Sequence, residues 1–298
     1  MDVTALLDRF LDRPRVAFVR AVLDTYGRAA GGLLANGLAF SALFAFIPTV
    51  LLILGLAGWL AGNAEVQRAL VDALAAAFPP LQELLEGILA SITDAAALTS
   101  VVGFVGLVWT VSQFHGALDV AFARIFSDHP ERDIVRRTAR GFLWVAILFG
   151  LVIGAIILGG VATMLDSLVP TTVPLAGTIA AIATSPVALT AFSIGAVLFL
   201  YRVMPPAPPS WGAIRIPAVV IGIAIVVLAQ IFTFLVPRLV GSVVLAGSLA
   251  AAFIALAWLS FTFQALLYGA AWVRVRNEGA SGVLGGPAAS AEPGGGGE

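Results

Sequence analysis

Six stretches of this chain contain no charged residue: 29–64, 95–118, 141–165, 167–201, 216–237 and 239–273. Each exceeds the ~20 apolar residues that carry a helix across a ~30 Å hydrocarbon core. Among the 298 residues, 60% are hydrophobic and 11% charged, against a soluble norm of about 45–50% and about 25%. A water-soluble domain of this length cannot hide so much apolar surface, so the solvent is lipid. The fold expected is all-α: a polytopic membrane protein of six transmembrane helices, near 36–60, 98–122, 141–165, 178–201, 216–236 and 246–272.

An even number of spans puts both termini on one side, and arginine says which. Lysine is absent, so all 16 basic residues are arginine. Arg9, Arg13, Arg15, Arg20 and Arg28 precede the first span, and Arg124, Arg132, Arg136, Arg137 and Arg140 follow the second. Arg202 and Arg215 bracket the fourth loop, and Arg274 and Arg276 follow the last span, which leaves only Arg68 and Arg238 opposite. The positive-inside rule then places both termini in the cytoplasm.

Three segments lie outside the spans. Residues 1–30 form a cytoplasmic arm whose Val16, Val19, Val22, Leu23 and Tyr26 share one helical face, with Arg20, Asp24 and Arg28 opposite. Such a helix suits the headgroup layer, or a dock on the protein's own loops. No cleavable signal is expected, because the first apolar run is too long for one. Residues 63–94 carry Glu65, Asp72, Glu83, Glu86 and Asp94 against Arg68, and their apolar positions repeat helically on both sides of Pro79 and Pro80. They read as an external amphipathic helical hairpin between spans one and two. The membrane domain as a whole is 31–276, and 277–298, rich in glycine, reads as a disordered cytoplasmic tail.

Enzyme signatures are lacking: no P-loop, HExxH, GxSxG or paired-carboxylate motif appears. With no cysteine, disulfides and thiolate chemistry are excluded, and two histidines make no zinc site. No metal and no cofactor are expected. A net charge of −1 offers no basic footprint for nucleic acid. Asp128, His129, Glu131 and Asp133 form one acidic run beside loop arginines, which reads as a solvated loop pairing its own charges rather than a nuclease centre.

Polar groups inside spans are the functional candidates, because hydrocarbon makes them costly. Asp119 is the only acid within a span pattern, and His115 lies one turn earlier on the same face. Starting the helix near Leu98, Asp119 falls about 30 Å along the axis, close to the cytoplasmic boundary. An imidazole ordinarily titrates near pH 6.5 and can relay protons to such an acid; the plainer alternative is that Asp119 neutralises a loop arginine. Gln113, Ser112, Asn36, Ser41, Gln230 and Gln264, with Thr110, form a candidate polar pathway, or else interhelical glue of about 0.6 kcal/mol apiece. Pro48 should kink the first span and free a carbonyl. Gly150 and Gly154 mark close helix packing. Arg124, Arg136, Arg137, Arg140 and Arg202 are candidate headgroup ligands, since planar guanidinium groups bind phosphate in bidentate fashion.

Four stretches resemble one known family. The run 37–48, GLAFSALFAFIP, is similar to the first-span signature of the YihY/BrkB membrane proteins. Trp109 to Ser112 resembles its second-span tryptophan–serine motif. Tyr201 and Arg202 with Pro205, Pro206, Pro209 and Trp211 look like its proline–tryptophan loop. Gly247 and Ser248 with Trp258, then Gly269 and Ala270, are similar to its last span. The chain has Ala123, Ala246 and Ala271 where the family often has asparagine, tyrosine and glutamate. The resemblance covers roughly residues 15–276 and implies a six-helix bacterial inner-membrane protein. Some relatives carry a ribonuclease label and others a virulence-factor label, and transport of a lipid-like substrate is an idea attached to the family.

Two functions follow as expectations. One is a transporter or flippase-like carrier of a lipid or amphiphile, with membrane lipids as its partners. The other is a non-transporting scaffold that binds envelope proteins or a second copy of itself. A cavity open sideways to lipid favours the first, and a solid core the second.

Overall fold

A computed structural model describes residues 14–61, 96–126, 185–240 and 247–280, together with the single helical positions Arg68 and Gln82. The described residues form α1 (Pro14–Arg28), α2 (Gly31–Ala61), α3 (Ala96–Phe126), α4 (Pro186–Val203), α5 (Trp211–Val240) and α6 (Gly247–Ala280). The expected span at 141–165, nearly all of the external hairpin, and Arg132, Arg136, Arg137 and Arg140 lie outside them.

Among the described residues, α4, α5 and α6 each carry a stretch long and apolar enough to cross a membrane. The pair α1 and α2, bent by 59° between Arg28 and Gly31, makes a fourth if it is one broken span. At 31 residues each, α2 and α3 are about 46 Å long. Helix limits differ from the sequence expectation in physically readable ways. The fourth helix starts at Pro186, not 178, because Ser185 caps it: its Oγ accepts from the Ala188 amide at 3.2 Å, and Pro186 takes a first-turn position where no N–H is needed. The last helix runs to Ala280, so 277–280 are helical rather than tail.

Helix α6 is the hub, touching each of the other five, while α2 packs most extensively on α3 and α4 on α5. Small residues allow this closeness, as expected where helices associate in lipid without a hydrophobic driving force between them. Ala35, Ala39, Ala121, Ala218, Ala255, Ala270 and Ala271 are all buried. At Gly222 an added Cβ would lie 2.7 Å from the Ile194 Cα, and the Ser193 hydroxyl donates to the Gly222 carbonyl at 3.0 Å. Bulk fills the spaces so defined: Tyr201, Phe122, Leu38 and Ile125 are fully enclosed.

The elbow between α1 and α2 carries Ala30 at φ 53°, a left-handed conformation unusual for a residue with a Cβ. Beyond it Gly31 is required, because a Cβ there would run into the Tyr26 ring. That ring stacks on Tyr268 of α6 with centroids 3.7 Å apart. The docking face of α1 is therefore rotated from the expected one, of which it keeps Val22 and Tyr26. Val22 and Tyr26 turn inward and Phe18 meets Trp272 edge-on, whereas Val19 and Leu23 stay half exposed. The spacing of four from Phe18 to Val22 to Tyr26 tracks α6, and Val19 and Leu23 turn away from it. Burial, with Tyr268 adding to it, pushes the Tyr26 hydroxyl up to about 12.

Candidate functional site

The expected polar residues do not meet in one cavity; all but Gln230 divide among three places. The first joins α2 to α6. The Ser260 hydroxyl donates to Asn36 Oδ1, and Gln264 Nε2 donates to Ser260 Oγ at 3.2 Å. Asn36 and Gln264 thus belong together, bridged by a serine that carries no signal of its own in an apolar helix.

The second is a groove between α2 and α3. Ser41 and Gln113 line it with Leu33, Leu34, Gly37, Leu38, Gly116, Ala117 and Val120, around a depression of about 430 Å³. Leu33 at its rim is 74% exposed, and Gln113 is exposed as well. Its polar atoms accordingly sit in a trough on the outer flank of the helix pair. Ser112 is exposed next to it. Farther along the same pair, α2 continues as a helix through Pro48, and Gly106 lets the proline ring approach: a Cβ there would lie 3.3 Å from the Pro48 Cβ.

The third place is the inward face of α3. His115 and Asp119 are both buried there, at 6% and 8% exposure. Arg274 reaches the Ile125 carbonyl, and Phe114 meets Phe263 at 5.7 Å, two contacts with the same sequence offset of 149. Helices α3 and α6 therefore run parallel and in register. That register puts Gln264 level with His115, and Tyr268 level with Asp119. Gln230 stands apart from all three, exposed on α5.

Arginines gather at the end where α3 and α6 finish and the α4–α5 connection turns. Arg274 pairs with Glu278 at 2.6 Å and donates to the Ile125 carbonyl at 2.7 Å. Arg276 donates to the Gly212 carbonyl at 3.3 Å, and Asn277 Oδ1 accepts from the Ser210 amide at 3.0 Å. Arg202 donates to the Pro209 carbonyl at 2.6 Å and lies 5.1 Å from the Trp211 ring centroid, so one of its donors braces the proline loop. Arg124 is exposed at the end of α3. Arg202, a candidate headgroup ligand by sequence, thus has a structural duty with no sequence signal, since nothing in a Pro–Pro run says where its carbonyls point.

No curated protein and no solved structure matches the chain. A family model, Virulence factor BrkB, matches residues 22–292, from the second half of α1 through every later helix described above. With its apolar, membrane-length helices it is a multi-pass membrane protein, and it belongs to the Virulence factor BrkB family.

Proposed function

We propose that this protein carries a lipid or similar amphiphile across the bilayer as a flippase-like transporter, performing no enzymatic chemistry. The observation that carries this reading is the α2–α3 groove. Polar atoms of Ser41 and Gln113 lie in an outward trough otherwise lined by apolar and small residues, a surface that suits a headgroup crossing while its tails stay in lipid. Purified protein in vesicles with a headgroup-labelled phospholipid tests it, read by the fraction of label a membrane-impermeant quencher can reach. Gly37→Leu is the informative variant, because a Cβ at Gly37 meets nothing within 4 Å and the side chain would fill the groove without moving backbone. It should keep its yield and lose most of the exchange. Exchange equal to protein-free vesicles in the wild type would end the reading.

The alternative is a scaffold that transports nothing, binding envelope proteins or a second copy of itself. The division of the polar residues among three places, rather than one continuous path, favours it. Full insertion with no exchange of any labelled lipid is its expected result.

The orientation we propose is that of a bacterial inner-membrane protein with six spans and both termini cytoplasmic, supported by the arginine asymmetry. A reporter fused after Gly279 should be active only inside, and one inserted at Pro79 only outside. An external reporter at Gly279 would reverse the map.

A further inference from the structure

Helix α5 turns a polar stripe away from the core. Gln230, Thr233 and Arg238 are exposed on one face with Phe234 between them, around an open depression of about 610 Å³. Gly212, at the other end of α5, accepts from Arg276 within the arginine-rich end of the bundle. Arg238 therefore stands at the opposite membrane face. Its guanidinium is folded back: Nη1 donates to the Phe234 carbonyl at 2.7 Å, and the charge lies 3.3 Å from the Phe234 ring centroid. That posture brings the cation down one turn, to within another turn of Gln230. Thr233 spends its hydroxyl on the Ala229 carbonyl at 2.8 Å. Arg238 and Gln230 are both exposed on this face, beside half-exposed Val227 and Ile231.

We propose that this face of α5 binds an anionic phospholipid of the leaflet opposite the arginine-rich end, with its phosphate on Arg238. Gln230 then lies at the depth of the ester groups, and Val227 and Ile231 run beside the acyl chains. Charge selects this occupant. A second copy docking the same face about a two-fold axis would bring two Arg238 cations together, whereas a phosphate takes the guanidinium in a bidentate pair. The site is separate from the α2–α3 groove, so it can hold lipid whether or not the protein moves any.

The chain has no cysteine, so Val227→Cys gives a unique attachment point for a fluorophore on this face. Vesicles containing either brominated phosphatidylglycerol or brominated phosphatidylcholine then report which lipid occupies it. Quenching should show phosphatidylglycerol enriched about fivefold, the factor expected for one arginine at a headgroup plane. Arg238→Gln should abolish the preference and Arg238→Lys should keep part of it. High salt should weaken it in the unsubstituted background, a reading that holds even if Arg238→Gln accumulates poorly. Equal quenching by the two lipids, or a preference that survives Arg238→Gln or high salt, would overturn the proposal. So would a fluorophore shielded from both lipids alike, which would put protein on this face.

Discussion

Gly269→Ala should cost the protein about 3 kcal/mol and lower its thermal midpoint in detergent. A Cβ at Gly269 would overlap the Tyr201 hydroxyl and come within 2.5 Å of the Ile221 side chain, where α4, α5 and α6 meet. Tyr201 cannot simply swing away. It is completely buried, and its hydroxyl donates to the Leu266 carbonyl at 2.8 Å. Overpacking a closed core costs about 1–3 kcal/mol, and forcing the ring out adds about 1 kcal/mol for the hydrogen bond. Tyr201→Phe alone should cost about 1 kcal/mol, since the Leu266 carbonyl keeps its place in the helix. Combined, the two substitutions should cost clearly less than their sum, because the phenylalanine lacks the atom that a Cβ would strike first. Strict additivity in that cycle would show that the overlap at Tyr201 is not what Gly269 avoids.

Asp119→Asn is expected to leave membrane yield and thermal midpoint nearly unchanged while removing lipid exchange. The side chain is enclosed on the inward face of α3, one turn from His115 and seven residues before the helix ends at Phe126. An amide of the same shape preserves packing but cannot take up or release a proton, so it separates a relay from a structural anion. If Asp119 instead holds an arginine charge in balance, the amide strands a buried cation. Removing one partner of such a pair costs about 3–5 kcal/mol, and the yield should collapse. Exchange at the wild-type rate from a stable Asn variant would dismiss the relay.

Hydropathy made the bundle legible because charge-free length is a property of consecutive residues. It finds α2, α3, α5 and α6, although most of their ends lie four or more residues beyond the expected limits. It misplaced the start of α4, although Ser185 before Pro186 is a readable cap signal, because an apolar run does not announce where a helix begins inside it. Inter-helix partners were harder. Asn36 and Gln264 stood out as polar residues in apolar spans, but Ser260 between them did not, since serine is common in membrane helices and has no spacing rule. The docking face of α1 was misjudged for a similar reason. Its composition is compatible with two neighbouring stripes that share Val22 and Tyr26, and the Phe18–Trp272 contact is what chooses between them. Tyr201 is legible as a motif residue, but its bond to a carbonyl on α6 depends on tertiary register, which no local pattern encodes.

The position of α6 at the hub has a consequence for how the molecule is made. It is the last of these helices to leave the ribosome, yet every other described helix leans on it. Until residues 247–280 have been synthesised, Asn36 has no Ser260 to meet, Tyr26 has no Tyr268 to stack on, and the Ile125 carbonyl lacks Arg274. The earlier helices enter the bilayer as an unfinished set with unsatisfied faces turned toward lipid or toward whatever insertion machinery holds them. The α2–α3 and α4–α5 pairs can close as they insert, and the final segment is the wedge that joins those pairs and α1 into one body.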